Sequence, residues 1–304
     1  METGILLESG TNELEILEFT VGVNHYGINV AKIREILSYK EPTPVPNSNP
    51  AIEGIFMPRE EVISIIDLSV CLNMPRLEDK DINSDMFIVT NFNQLKTAFH
   101  VHSVLGIHRV SWTDIAKPDS TINTGGKGVA TGIVRIDDKL IIILDFEKIV
   151  SEINPETGLK LSDVDHLSNR DRNSAPILIA EDSPLLSKMI LDCLTKAGYS
   201  NVTLTDNGKE CWDKINSYKE KGDIDSQVAC VITDIEMPQM DGHRLTKLIK
   251  EDEELKHIPL IIFSSLVNDE MRRKGESLGA NAQLSKPEIG QLVEKMDELI
   301  AANQ

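Results

Sequence analysis

The chain has 304 residues, of which 40% are hydrophobic, enough for two domains that each bury a core. Its 49 Asp and Glu residues outnumber the 31 Lys and Arg residues, so the formal net charge is −18. An acidic chain without a basic stripe repels nucleic-acid phosphates and anionic lipid surfaces. We therefore expect a globular protein that binds other proteins, with no nucleic-acid partner.

The four cysteines are Cys71, Cys193, Cys211 and Cys230, and none of them forms a CxxC pair. The N-terminal residues lack the basic and apolar regions of a signal peptide. No apolar run reaches the roughly 18 residues of a spanning helix. We expect reduced cysteines and a cytoplasmic location without direct membrane insertion, any membrane association being through a partner.

The first half of the chain contains short runs rich in Ile, Val, Phe and Thr that alternate with turn-forming residues, a pattern typical of strands. The predicted strands are residues 15–23, 26–30, 61–66, 86–90, 95–101 and 140–144. Many short strands with little helix favour a small barrel or a pair of barrels. The glycine cluster at residues 125–128 lacks the spacing of a phosphate-binding loop and predicts a hairpin loop. His100 and His102 could share a metal, but no third ligand lies nearby, which favours ordinary strand residues.

Two segments lie between the second and third predicted strands. Residues 31–37 are either a brief helix or an extended segment. Residues 41–50 contain four prolines, which enforce an extended path. This path leads into residues 52–59, an apolar stretch that ends in Arg59. One interpretation is a simple connector between two barrels, and the other is a surface presented to a partner.

The stretch Gly-Ile-Phe-Met-Pro-Arg, two further residues and Val-Ile-Ser-Ile-Ile-Asp-Leu resembles the GVxNLRGxVxPVxDL motif of CheW-type coupling domains. The resemblance covers residues 10–155 and includes residues 26–36, Gly132 and the residues after it, and Leu144-Asp145. Departures from the family pattern are Met57-Pro58 for Asn-Leu, Glu60 for Gly and Ser64 for Pro.

The resemblance implies an all-β fold of two intertwined five-stranded SH3-like barrels. It also implies docking onto methyl-accepting chemoreceptors and onto the histidine kinase CheA. Glu35 and Arg59 match family positions implicated in these contacts, and Gly54 remains in register with the motif. These three residues are the predicted partner-binding positions.

Residues 156–175 are polar, rich in turn formers and without periodicity, which predicts a flexible linker. From residue 176 to residue 303 the chain alternates strand and helix five times. Near-continuous apolar strands separated by helices indicate an α/β doubly wound, five-stranded parallel sheet covered on both faces. Ligands of such sheets bind beyond the carboxyl ends of the strands.

Polar residues follow four of the predicted strands at this edge. They are Glu181 and Asp182, then Asp234, then Ser264 with Ser265, then Lys286 with Pro287. Three carboxylates brought together would repel one another, and such a cluster is a natural site for a hard cation, with Mg²⁺ as the economical choice. One carboxylate could then act as a nucleophile towards a phosphoryl group, with Lys286 as a second counter-charge.

These residues and Asp234-Ile-Glu-Met-Pro, two residues and Asp-Gly make residues 176–303 similar to the response-regulator receiver family. The resemblance implies that Asp234 is the phosphoacceptor, with Ser264 as the switch hydroxyl and Lys286 as the phosphate partner. It implies Mg²⁺ ligands from Glu181, Asp182, Asp234 and the carbonyl of Glu236. Gln283 replaces the aromatic residue that the family usually carries three residues before the lysine, so we expect no aromatic rotamer switch.

A coupling domain followed by a receiver domain resembles the CheV family of chemotaxis proteins. The 17 residues after Pro287 suffice for one helix, so we expect the N-terminal half to carry the output. The favoured function is a chemotaxis adaptor regulated by phosphorylation of Asp234, either as a switch or as a phosphate sink. The alternatives are a Mg²⁺-dependent aspartyl-phosphate phosphatase and an unregulated adaptor with an inert receiver.

Overall fold

The computed structural model describes residues 11–74, 84–92, 95–118, 128–155, 170–266, 268–286 and 288–303. The chain divides into two compact units, one of which comprises Leu14–Val110 and Asp114–Thr157, while the other contains the described residues from 170 onwards. The predicted hairpin loop at residues 125–127 and most of the predicted linker, residues 156–169, lie outside the described residues. The exact domain limits of 10–155, 156–175 and 176–303 therefore stay a prediction.

The N-terminal unit is built from ten strands in two five-stranded sheets. The strands are β1 (Glu13–Val21), β2 (Asn24–Asn29), β3 (Ile33–Ser38), β4 (Ile52–Phe56), β5 (Ile63–Asp67), β6 (Met86–Phe92), β7 (Leu95–Val101), β8 (Ser103–Ser111), β9 (Ala130–Ile136) and β10 (Lys139–Leu144). One sheet has the order β8-β1-β2-β10-β9, and the other has the order β3-β6-β7-β5-β4. The predicted pair of five-stranded β units is confirmed.

Both sheets of this unit contribute to one apolar core, which also receives the helices α1 (Leu68–Cys71) and α2 (Phe146–Ile153). Phe99 and Phe146 meet edge to face at its centre, with ring centroids 4.3 Å apart. A second, smaller core lies on the other face of β6, where Phe87 and Val89 point opposite to Ile88. Side chains alternate along a strand, so one strand serves both cores.

The segment at residues 31–37 contains both of the structures that the sequence allowed. A 3-10 turn at Val30–Lys32 is capped by the Asn29 side chain and leads directly into β3. His100 and His102, on or beside β7, have their ring nitrogens in hydrogen bonds rather than open to a metal. His100 lies 2.8 Å from Glu53 and 3.0 Å from Asp85, and His102 Nδ1 accepts from the Gly22 amide at 2.7 Å.

The C-terminal unit contains the expected parallel five-stranded sheet, whose strand order is β12-β11-β13-β14-β15. Its strands are β11 (Ile177–Ala180), β12 (Val202–Thr205), β13 (Cys230–Thr233), β14 (Leu260–Ser264) and β15 (Ala282–Ser285). Its helices are α3 (Pro184–Lys196), α4 (Gly208–Glu220), α5 (Ile224–Gln227), α6 (Gly242–Glu251), α7 (Asp269–Ser277) and α8 (Ile289–Ala302). The short helix α5 was not predicted.

Helices cover both faces of this sheet, which explains why its central strands β11, β13 and β14 are apolar at almost every position. Ile177 and Ile179 pack towards α3 and α8, whereas Leu178 and Ala180 pack towards α4 and α6. Among the described residues, no helix is both long enough and apolar enough to cross a membrane.

Candidate functional site: an acidic pocket at the carboxyl edge of the parallel sheet

The site lies where the direction of strand addition reverses. The chain passes from β11 outwards to β12, then returns to the other side of β11 to form β13. The carboxyl ends of β11 and β13 therefore border a crevice, which is where doubly wound sheets bind ligands. Glu181 and Asp182 follow β11, Asp234 follows β13, and Lys286 follows β15.

The backbone around Asp234 is held in place from three directions. Its amide donates to the Ala180 carbonyl at 3.0 Å, and the Thr233 hydroxyl donates to its carbonyl at 2.8 Å. The Ile235 amide donates to Asp234 Oδ1 at 2.7 Å, which orients the carboxylate. Gly242 passes so close that a Cβ atom there would lie 1.8 Å from the Asp234 carbonyl oxygen. Only glycine fits this approach, which explains the Asp-Gly that follows the acidic motif.

Lys286 is shared between two carboxylates. Its Nζ lies 2.8 Å from Asp234 Oδ2 and 3.0 Å from Glu181 Oε2, and all three side chains are buried. Such buried, charge-assisted contacts fix the ammonium at the centre of the pocket. Lys286, predicted as the phosphate partner, thus lies beside Asp234 by contacting Oδ2, while Oδ1 accepts the Ile235 amide, and the role of Lys286 towards phosphate stays a prediction.

The pocket brings three acidic side chains close together. Glu181, Asp182 and Asp234 can each offer one carboxylate oxygen within 4.8 Å of the others. Burial raises the pKa of Glu181, and the neighbouring Asp234 and Asp182 carboxylates raise it further against the opposing effect of Lys286. One lysine thus offsets only part of the repulsion among three carboxylates.

This donor set fits a magnesium ion. Hard carboxylate oxygens are the ligands that Mg²⁺ prefers, and it keeps several waters, so three protein carboxylates suffice. The carbonyl of Glu236, two residues beyond Asp234, remains a predicted fourth ligand. The observation that carries the fit is the close approach of three acidic side chains, two of them almost fully buried, around a single lysine.

Ser264 ends β14 at the same edge and is fully buried. Its Oγ accepts a 3.3 Å hydrogen bond from the Leu266 amide. The Lys286 amide donates to the Ser264 carbonyl at 3.2 Å, so the backbones that carry the hydroxyl and the ammonium are directly joined. Pro287, the residue after Lys286, lies outside the described residues.

Of the three predicted partner-binding residues of the N-terminal unit, Glu35 and Arg59 are in contact. Arg59 Nη2 lies 3.2 Å from Glu35 Oε2, and the Arg59 side chain is 76% exposed. Arg59 has a φ of 67°, a left-handed conformation that a residue with a Cβ rarely adopts. Gly54 has a packing role, because a Cβ there would lie 2.5 Å from the Thr43 carbonyl oxygen.

Sequence reasoning missed the ion pair between Glu35 and Arg59, which are 24 positions apart, because no periodicity of the chain joins β3 to the β4–β5 turn. It also missed the Thr233 hydroxyl, which supports Asp234. A polar residue at the end of an otherwise apolar strand was the available signal for Thr233.

Two family models match the chain, the CheW-like domain over residues 15–154 and the response regulator receiver domain over residues 177–297. The chemotaxis protein CheV3 of Helicobacter pylori is 30% identical over 304 residues, covering 96% of each chain. The chemotaxis protein CheV2 of the same organism is 31% identical, covering 95% of this chain and 96% of its own.

Solved structures resemble each half separately. The scaffolding protein TtCheW from Thermoanaerobacter tengcongensis covers 48% of this chain and 90% of its own, with 20% identity and a TM-score of 0.41. The chemotaxis response regulator CheY4 of Vibrio cholerae covers 42% of this chain and 99% of its own, with 23% identity and a TM-score of 0.36.

Proposed function

Because the chain belongs to the CheV family of chemotaxis proteins, in which a CheW-like domain precedes a receiver domain, we propose that it couples chemoreceptors to the histidine kinase CheA under the control of phosphorylation at Asp234. The protein is an adaptor rather than a member of a classical enzyme family. The observation that carries the regulatory part is the acidic pocket with Lys286 bonded to Asp234 and Glu181.

The proposed reaction is transfer of a phosphoryl group to Asp234. A carboxylate oxygen of Asp234 forms a bond to phosphorus, while the bond from phosphorus to the donor's leaving group breaks and its electron pair departs with that group. The leaving group is the kinase histidine or, with a small-molecule donor, acetate. Catalysis of such transfers consists mainly of positioning and charge stabilisation.

The residues of the pocket have distinct parts in this step. The Ile235 amide and the backbone contacts hold the Asp234 carboxylate in place. Lys286 neutralises phosphoryl oxygens as they arrive, and the Ser264 hydroxyl donates to one of them. Glu181 and Asp182, together with Asp234, would hold a Mg²⁺ ion, which would stabilise negative charge on the phosphoryl oxygens.

The N-terminal unit supplies the proposed partner contacts. Arg59 and Glu35 present a charged pair at an exposed turn, in which Arg59 is available to a partner's carboxylate. The protein would then work in the cytoplasm, at receptor arrays to which it attaches through chemoreceptors and CheA.

Incubation of the full chain with radiolabelled acetyl phosphate and Mg²⁺ tests the phosphorylation. We expect stoichiometric labelling that is lost in Asp234→Ala. Continuous turnover of acetyl phosphate far above one equivalent would favour the phosphatase alternative, and absence of labelling in the wild type would favour the inert receiver. Labelling of Asp234→Ala would show that another residue accepts the phosphoryl group.

A further inference from the structure

A polar side chain occupies the buried position between β15 and α7. Gln283, three residues before Lys286, is only 8% exposed. Its Nε2 donates a 2.8 Å hydrogen bond to the backbone carbonyl of Arg272 in α7. Where receiver domains usually carry an aromatic residue, this chain thus has a direct bond from the last strand to the neighbouring helix.

The helix is adapted to receive this amide. A Cβ atom on Gly275 would lie 1.9 Å from Gln283 Nε2 and 2.6 Å from its Cδ. Glycine is unfavourable inside a helix. Its presence in the last turn of α7 is therefore explained by the close approach of the Gln283 amide rather than by helix stability.

The side-chain amide of Gln283 satisfies only part of its hydrogen-bonding capacity among the described residues, a cost that an apolar side chain would not have. Gln283 Oε1 is buried and has no hydrogen-bond partner among the described residues. On α6, the Nε2 of His243 is likewise buried without a hydrogen-bond partner in the part of the chain that the structure describes, and burial lowers the pKa of this histidine to about 3, which keeps it neutral. Unpaired buried polar atoms are costly. An apolar side chain at position 283 would avoid this cost, so stability alone does not account for the glutamine.

Gln283 is connected to the phosphorylation pocket by two routes. Along β15 it lies three residues before Lys286. Through β14 it is paired in register with Ile262, two residues before Ser264. Beyond Ser264, the Asn268 side chain caps α7 by accepting from the Met271 amide at 2.8 Å. Ser264 thus lies four residues before the cap of α7, and the fourth residue of this helix, Arg272, is bonded to Gln283.

We infer that the hydrogen bond from Gln283 to the Arg272 carbonyl is a latch that holds α7 in its unphosphorylated position and opens when a phosphoryl group binds at Asp234. The inference rests on the proposed phosphorylation. Movement of the Ser264 hydroxyl towards the phosphoryl group draws the segment that caps α7 with it, and the latch bond must lengthen as the helix moves.

Linkage gives this latch a measurable consequence. A contact made only in the unphosphorylated state opposes phosphoryl binding, so its removal must tighten binding of a phosphoryl analogue by the same factor. We expect about fivefold, the factor to which one neutral hydrogen bond of about 1 kcal/mol corresponds.

The test uses the full chain with Mg²⁺, and beryllofluoride serves as the phosphoryl analogue. It compares the wild type with Gln283→Leu and with the control Gln291→Leu, which alters an exposed glutamine of α8. Fluorine NMR of bound beryllofluoride measures affinity, and hydrogen exchange followed by peptide mass spectrometry measures protection of α7. We expect beryllofluoride to increase exchange in α7 of the wild type and of the control. In Gln283→Leu exchange should be raised beforehand, and half-saturation should need about fivefold less beryllofluoride.

Gly275→Ala provides a second variant that does not alter Gln283 itself. Helix propensity alone predicts slower exchange in α7, because alanine stabilises helices relative to glycine. The latch predicts faster exchange, because the new Cβ displaces the Gln283 amide. Wild-type exchange and affinity in Gln283→Leu, or slower exchange in Gly275→Ala, would overturn the latch while leaving phosphorylation intact. Failure of the wild type to bind beryllofluoride would overturn the latch and the proposed phosphorylation together.

Discussion

Replacing Asp234 by asparagine removes one charge from the acidic pocket while retaining the size of the side chain and an oxygen for the Ile235 amide. At an effective dielectric constant of about 20, unit charges 4.8 Å apart interact by about 3.5 kcal/mol. Asp234 is at least this close to Glu181 and to Asp182, so when both of these carboxylates are ionised the substitution removes a repulsion of about 7 kcal/mol or more. It also removes the attraction of Lys286 at 2.8 Å, about 6 kcal/mol.

The two changes nearly cancel, and the sign of the remainder favours the variant. Without Mg²⁺, and above about pH 8 where Glu181 with its raised pKa is ionised, we expect Asp234→Asn to melt at or a few degrees above the wild type. Mg²⁺ reverses the order, because at about 100 times its dissociation constant it stabilises the wild type by about 2.7 kcal/mol, whereas the variant has lost a charged ligand.

Differential scanning calorimetry of the full chain, with and without Mg²⁺, measures both effects. Samples treated with EDTA, which removes divalent cations, serve as the metal-free reference. A large fall in the melting temperature of Asp234→Asn without metal would mean that Lys286 stabilises Asp234 more than the other carboxylates repel it. An equal Mg²⁺-dependent rise in the variant and the wild type would mean that Asp234 does not bind the ion.

Three further predictions concern single residues. Arg59→Glu should weaken pull-down by receptor signalling tips and by CheA, while labelling by acetyl phosphate is unchanged. The control Arg135→Glu, which alters another exposed ion pair, should bind as the wild type does. Equal binding by both variants would remove Arg59 from the interface. Gly242→Ala should lower labelling and thermal stability together, since its Cβ would displace the Asp234 carbonyl, and normal labelling would contradict that geometry. Burial lowers the pKa of His100, but the carboxylates of Glu53 and Asp85 raise it by more, so the net shift is upward. Protonated His100 should therefore stabilise the N-terminal unit below about pH 6.5, and this contribution should be lost as the pH rises through the folded pKa. A melting-temperature difference between wild type and His100→Gln that does not change with pH would refute this.

Much of the C-terminal unit was predictable because its strands are buried on both faces and its helices carry clear end signals. Asn207 and Ser183 cap α4 and α3, and Gly198 follows the end of α3. The site was predictable for the same reason, since parallel strands place all their carboxyl ends at one edge. Once β11 and β13 were recognised, Asp182 and Asp234 had to meet there.

The N-terminal unit was harder to predict because several of its strands are not uniformly apolar. β8, which was not predicted, lies at a sheet edge and carries Gly106 between the exposed residues Leu105 and Ile107. β4 contains Gly54, which reads as a turn residue until the close approach of Thr43 is known. Edge position and close backbone contact are tertiary properties, so a local pattern of residues does not contain them.

The negative charge of the pocket couples binding of a cation to binding of a phosphoryl group. When all three carboxylates are ionised, they and one lysine leave an excess of two negative charges in a largely buried space. A phosphoryl group of about −1.5 to −2 replaces the single charge of Asp234, so phosphorylation alone makes the pocket more negative. Lys286 is already shared by Glu181 and Asp234, and it can bind a phosphoryl oxygen only by weakening those contacts. The pocket therefore requires additional positive charge and a hydroxyl donor before it can hold the phosphoryl group. In the proposed mechanism Ser264 moves to act as that donor, so retention of the phosphoryl group and displacement of the segment that leads to α7 would be parts of the same equilibrium.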